Sequence, residues 1–68
     1  MILKFENSAG IERVIAEVTS DEEAFREIHK FLNEHKFKSY YTRVICASQH
    51  HKIYDVGSHT EFFHLYDE

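Results

Sequence analysis

The sequence predicts a small α+β domain in which a single helix packs on one antiparallel sheet, in the order ββαββ with a further short strand at the C-terminus. Two segments of alternating apolar and polar residues come first. A segment with helical apolar spacing follows, and the remainder is rich in β-branched and aromatic residues. The chain of 68 residues has the length of one domain, which we place at residues 1–68.

A β-hairpin is expected at the N-terminus. Residues 2–6 alternate apolar and polar side chains, and Asn-Ser-Ala-Gly at 7–10 is typical of a turn because such residues tolerate positive φ or bond to nearby backbone. The chain then returns over residues 11–18 as the second strand. The side chains expected on the inner face of this hairpin are Leu3, Phe5, Val14, Ala16 and Val18.

The helix follows a recognisable start signal. Ser-Asp-Glu-Glu at 20–23 has the pattern of a capping box, in which Ser20 caps the first turn and Glu23 reaches back. Acidic residues in this turn also suit the positive end of the helix dipole. The apolar stripe that should face the sheet consists of Ala24, Phe25, Ile28, Phe31, Leu32 and His35.

The second half of the chain has strand composition. Residues 40–47 predict a third strand, a turn is expected within 48–50, and residues 51–56 predict a fourth strand. Gly57 then interrupts the pattern. Segment 58–66 opens with a pattern that also suits a helical turn, but Phe-Phe-His-Leu-Tyr at its end favours a final short strand.

Composition excludes several classes of protein. One cysteine cannot form an internal disulfide, so we expect a reducing, cytoplasmic environment. No apolar run approaches the roughly 18 residues of a membrane span. The net charge of −4 argues against a general nucleic-acid binder, because neutralising phosphates requires a basic surface.

Metal binding and catalysis are both poorly supported by residue spacing. Zinc takes about four ligands, mainly Cys and His. The candidate ligands are Cys46, His50, His51, His59 and His64. Their spacing matches no common ligand motif, so we predict no metal and no cofactor, and a metal-binding module remains an alternative.

Cys46 lies mid-strand, where a buried structural thiol is expected, and no nucleophile has an evident base. We therefore expect a non-enzymatic protein.

Two charged regions suggest other partners. Residues 36–43 interleave lysines and an arginine with aromatic residues, which is the basis for nucleic-acid binding as a further alternative. An acidic surface on the second strand and the helix could instead occupy a basic groove of another protein. Its residues are Glu12, Glu17, Asp21, Glu22, Glu23, Glu27 and Glu34.

Surplus aromatic residues favour binding to another protein. Residues 40–68 hold six of the ten Phe and Tyr residues, and these fall at both odd and even positions. One helix covers one sheet face, so some rings should be exposed or buried by a partner. The predicted partner-binding residues are Tyr41, Arg43, Tyr54, His59, Phe62, Phe63 and His64. A second copy of the chain is the simplest such partner, which would make the protein a homodimer.

Two segments carry a resemblance to a known group of proteins. With Tyr-Tyr-Thr-Arg-Val at 40–44 and Asp-Val-Gly-Ser-His-Thr-Glu-Phe-Phe at 55–63, the chain resembles short phage- or prophage-encoded proteins of Gram-positive bacteria. The resemblance covers about residues 20–66. It implies an accessory protein that works in the cytoplasm of a bacterial host and binds a host protein, as anti-defence inhibitors of the anti-CRISPR type do. It assigns no role to any single residue.

Overall fold

A computed structural model of the protein describes residues 1–35, 42–57 and 60–67. The elements in chain order are β1 (Ile2–Glu6), β2 (Glu12–Glu17), α1 (Asp21–Glu34), β3 (Arg43–Ala47), β4 (His51–Asp55) and β5 (Phe62–Tyr66). The five strands form one antiparallel sheet in the order β2-β1-β5-β4-β3. The predicted α+β fold is confirmed, and the further C-terminal strand forms at the centre of the sheet.

The first turn depends on one asparagine and one glycine. The Asn7 side-chain oxygen accepts hydrogen bonds from the backbone N–H groups of Ala9 and Ile11, at 2.9 and 3.1 Å. Gly10 adopts φ of +80°, in the left-handed region that favours glycine. These features close the β1–β2 hairpin where the sequence predicted it.

A β-bulge in β2 corrects one expectation about this hairpin. The register pairs Leu3 with Ala16 but Lys4 with Val14, so that Ile15 is the extra residue. Because of this extra residue, the β2 side chains that precede it point to the opposite side of the sheet from the one expected. Val14, expected on the inner face, is therefore 59% exposed, whereas Ile15 packs against the core.

The helix begins and packs largely as predicted. Ser20 Oγ accepts a hydrogen bond from the Glu23 N–H at 3.2 Å. The Glu23 carboxylate reaches back one residue further than a capping box requires, and accepts from the Thr19 hydroxyl at 2.8 Å. The buried side chains of α1 are Ala24, Ile28, Phe31 and Leu32. Phe25 is half-buried and packs on Tyr54, and exposed His35 is the C-cap residue and stacks on Phe31.

An aromatic cluster holds the helix against the sheet. The Phe63 ring lies 5.3 Å from the ring of Phe5 and 5.6 Å from that of Phe31, measured between centroids. Such tilted and edge-on pairs add about 0.5–1.5 kcal/mol each to the burial of the rings themselves. The buried apolar core comprises Leu3, Phe5, Val18, Ala24, Ile28, Phe31, Leu32, Tyr54, Val56, Phe63 and Leu65.

The C-terminal strands are separated by a sharp bend at Gly57. Gly57 adopts φ of +91°, and its N–H donates to the Asp55 carboxylate at 3.0 Å. β5 then runs between β1 and β4, with Phe63 opposite both Phe5 and Tyr54. The ambiguous segment thus ends in a strand over Phe62–Tyr66, while residues 58–59 lie outside the described residues.

Helix α1 covers one sheet face and leaves the other to solvent. Because side chains alternate along each strand, the register defines this second face, which we call the open face. Its central residues are Lys4, Glu6, Glu12, His51, Ile53, Phe62, His64 and Tyr66. Phe62 and Tyr66 are half-buried there, consistent with aromatic residues on both sides of the sheet.

Candidate protein-binding site

Strand β3 forms one edge of the sheet and is exposed along its whole length. All five residues from Arg43 to Ala47 are exposed, and Val44 and Ile45 retain 45% and 47% of their accessible surface. Within the described residues, no strand pairs with the outer side of β3. An edge of this kind presents backbone N–H and C=O groups that can pair with another extended chain.

The opposite edge, β2, differs in charge. Three of the six β2 residues are charged, namely Glu12, Arg13 and Glu17, whereas Arg43 is the one charged residue of β3. Each edge strand carries a bulge in its register. Charged side chains on edge strands oppose pairing with another chain, so β2 is protected in a way that β3 is not.

The open face contains a chain of hydrogen-bonded side chains. The His51 Nε2 atom lies 2.8 Å from His64 Nδ1, and His64 Nε2 lies 2.6 Å from the Glu6 carboxylate. The imidazoles of His51 and His64 also stack, with centroids 5.1 Å apart. His64 is only 6% exposed although it lies on the face opposite the helix, because neighbouring side chains cover it.

Tyr66 joins this cluster from the same strand. The Tyr66 ring stacks on the His51 ring, with centroids 4.3 Å apart. Lys4, on the adjacent strand β1, places its ammonium group 5.0 Å from the centroid of the Tyr66 ring. The Tyr66 hydroxyl donates to the Glu12 carboxylate at 2.7 Å. Burial, followed by this hydrogen bond, raises the pKa of Tyr66 to about 12, so the phenol stays protonated as a donor at neutral pH.

Two of the predicted partner-binding residues belong to the core, which corrects that part of the prediction. Tyr54 and Phe63 are 1% and 0% exposed beneath α1, and burial raises the pKa of the Tyr54 hydroxyl. Neither ring offers surface to a partner while the domain is folded.

Three other predicted residues lie on the exposed side of the sheet. Arg43 is at the start of β3, and its Nε atom lies 3.2 Å from the Asp55 carboxylate. Phe62 is half-buried on the open face, and His64 is covered there by its neighbours. Tyr41 and His59 lie outside the described residues.

The alternatives considered from sequence find limited structural support. Cys46, expected to be a buried thiol, is exposed because β3 is an edge strand. It pairs with Ile53 rather than with a histidine, so the register does not gather Cys46, His51 and His64 at one point. The basic and aromatic segment proposed for nucleic acid falls mostly within residues 36–41, outside the described residues.

Sequence reasoning missed several surface residues. Val44 and Ile45 were treated as ordinary strand residues. Their segment is apolar and nearly uncharged, which is the pattern that exposed edge strands of a sheet normally avoid. Glu6 and Glu12 were not connected with His64, because Glu6 and His64 are 58 positions apart in the chain. Glu6 and Glu12 flank the predicted turn at 7–10, and pairing across that hairpin was the available signal that they face each other.

Comparison of the sequence with protein-family models finds no match, and comparisons with curated proteins and with solved structures also find none. Among the residues that the structure describes, no helix is long and apolar enough to cross a membrane.

Proposed function

We propose that this protein is a non-enzymatic binding protein that takes up an extended segment of another protein along the β3 edge. The bound segment would continue the sheet as a sixth strand, as in other cases of strand addition. Main-chain hydrogen bonds would supply affinity, and the exposed Val44 and Ile45 side chains would contact apolar side chains of the segment.

The observation that carries this proposal is a mainly apolar edge strand in which all five residues are exposed. In a domain of 68 residues, exposed apolar surface at an edge favours aggregation unless a partner covers it. The charged side chains of β2 show that the other edge of the same sheet is protected. The contrast between the two edges favours β3 as the binding edge.

The resemblance to phage- and prophage-encoded proteins supports a host protein as the partner. A protein of that origin acts inside a bacterium, and inhibition of a defence enzyme is the activity that the resemblance implies. Of the predicted partner-binding residues, Arg43 is exposed on the edge and Phe62 is half-buried on the adjoining open face. The acidic surface of β2 and α1 is a second area through which a basic partner could gain electrostatic affinity.

A matched pair of substitutions tests the binding edge. Val44→Lys places a charge on β3, and Val14→Lys places the same charge on β2, at positions that are 45% and 59% exposed. Wild-type and variant proteins would be used to capture proteins from the lysate of a Gram-positive bacterium, with quantification by mass spectrometry. We expect Val44→Lys to reduce capture of the specific partner at least tenfold and Val14→Lys to leave it unchanged.

Thermal melting of each variant provides the control, because both positions are exposed and both variants should remain folded. Equal capture by wild type and Val44→Lys, or loss of capture with Val14→Lys alone, would contradict the proposal. Sedimentation of the pure protein tests the other occupant of the same edge, a second copy. A wild-type dimer that Val44→Lys converts to a monomer would assign the edge to self-association.

A further inference from the structure

Two glutamates face each other at the end of the β1–β2 hairpin. Glu6 and Glu12 are direct cross-strand partners, and carboxylates so placed repel each other. Glu6 is also beside His64, and the His64 Nε2 atom lies 2.6 Å from the Glu6 carboxylate. We propose that Glu6, Glu12 and His64 form a binding site for a divalent transition-metal ion such as Zn²⁺.

The donor atoms are close enough for one ion. One carboxylate oxygen from each glutamate and a ring nitrogen of His64 lie within 4.8 Å of one another. Ligands at about 2.0–2.2 Å from a tetrahedral zinc ion lie about 3.4 Å from one another. The Glu6 carboxylate would therefore separate slightly from His64 Nε2, and the exposed Glu12 carboxylate would move closer, both through side-chain rotations. A bound cation would also remove the repulsion between the two carboxylates.

The chemistry of the donors indicates the class of ion. The site combines two carboxylate oxygens with one imidazole nitrogen, and the imidazole is 6% exposed rather than a mobile surface group. Imidazole favours zinc and other late transition metals over Mg²⁺ and Ca²⁺, which prefer oxygen ligands alone. Zn²⁺ should therefore bind and Mg²⁺ should not compete with it.

Two of the three ligands are already oriented by a second side chain. The Tyr66 hydroxyl donates to Glu12 at 2.7 Å, and His51 contacts the ring nitrogen of His64 that faces away from Glu6, at 2.8 Å. Metal-binding histidines commonly use their second ring nitrogen to bond a neighbouring acceptor, which fixes the tautomer. His51 and Tyr66 would thus act as positioning residues for His64 and Glu12.

Metal binding would reverse the hydrogen bond between the two histidines. With neutral rings and no ion, His64 Nε2–H donates to Glu6 and His51 Nε2–H donates to His64 Nδ1. With an ion on His64 Nε2, the proton of that ring is on Nδ1 and donates to His51 Nε2, whose own proton moves to Nδ1. Each ring holds one proton in both states, so the change is in tautomer and not in charge.

Titration of untagged protein with Zn²⁺, followed by calorimetry, tests the site. We expect one Zn²⁺ per chain, no displacement by excess Mg²⁺, and at least tenfold weaker binding for Glu12→Gln. Glutamine keeps an acceptor for the Tyr66 hydroxyl and relieves the repulsion from Glu6, so the variant should stay folded. Glu17→Gln, a charge loss at another exposed position of β2, is the matched control and should bind Zn²⁺ like wild type.

Nitrogen chemical shifts of the imidazole rings provide a second measurement that needs no variant. Zn²⁺ should convert His51 and His64 from Nε2-protonated to Nδ1-protonated rings, with Nε2 of His64 bound to the ion. Absence of Zn²⁺ uptake, uptake that Glu12→Gln leaves unchanged, or uptake without this tautomer change would overturn the proposal. Because β3 contributes no ligand, each of these results is independent of partner binding at that edge.

Discussion

Truncation of two adjacent rings, Phe62 and Phe63, should have very different effects on stability. Phe63 is 0% exposed and contacts the rings of Phe5 and Phe31. Phe62 is half-buried on the open face. Strand alternation therefore assigns one ring to the core and its neighbour to the side that the helix does not cover.

The two losses can be compared with the stability of the whole domain. At about 0.05–0.15 kcal/mol per residue, a chain of this length has a free energy of unfolding of about 3–10 kcal/mol. Phe63→Ala removes a fully buried ring and leaves a cavity, at a cost of about 3–5 kcal/mol. Phe62→Ala loses part of the burial of one ring, at about 1–2 kcal/mol.

Urea unfolding followed by circular dichroism measures both effects. With a slope of about 1 kcal/mol per M, Phe62→Ala should lower the midpoint by about 1–2 M and remain folded in buffer. Phe63→Ala should lose most or all of its folded baseline. Val14→Ala, at a position 59% exposed, is the control and should change little. Equal destabilisation by the two ring truncations, or a larger loss for Phe62→Ala, would refute the assignment of faces.

Three further changes test the turn, the helix cap and the tyrosine of the open face. Ser20→Ala removes the acceptor of the Glu23 N–H and should cost about 1 kcal/mol in urea unfolding, whereas Ser20→Asp should retain most of the stability. Gly10→Ala should cost about 1 kcal/mol through its φ of +80° alone, since a Cβ there meets nothing within 4 Å, and Gly10→Asn should cost less. The folded-state pKa of Tyr66 is raised from 10.0 to about 12, so its hydroxyl stabilises the fold fully below pH 10 and loses that effect as pH rises towards 12. Tyr66→Phe should therefore be about 1 kcal/mol less stable than wild type at pH 7, after allowance for solvent screening, and the difference should vanish near pH 12.

Local signals in the sequence were sufficient for most elements of the fold. The capping pattern at 20–23 and the apolar stripe after it predicted α1, because both depend on residues within a few positions of each other. The turn at 7–10 likewise predicted the first hairpin. Gly57 marked the end of β4, since its positive φ is a local backbone requirement.

Strand order and register could not be predicted from these local signals. The bulge at Ile15 reversed the facing of Val14, and periodicity alone does not reveal an extra residue. Cys46 was expected in the core because its segment has the composition of an interior strand, but pairing placed that strand at the edge. Alternation separated Phe62 from Phe63 without indicating which of them the helix would cover.

The candidate sites depend on the same long-range pairing. β5 lies between β1 and β4 in the sheet, and this brings His64 beside both Glu6 and His51. Composition drew attention to the C-terminal histidines and aromatic residues. The two glutamates that lie beside His64 in the proposed metal site come instead from the first hairpin. The edge position of β3 is also a property of the assembled sheet.

Backbone hydrogen exchange of the captured complex tests the proposed function most directly. Strand addition places new main-chain hydrogen bonds on the outer side of β3, so exchange of amides within Arg43–Ala47 should slow markedly when the partner binds. Amides of β2 should exchange at the same rate in the free and bound protein. Protection confined to β2 or to α1, with no change in β3, would contradict binding at the β3 edge.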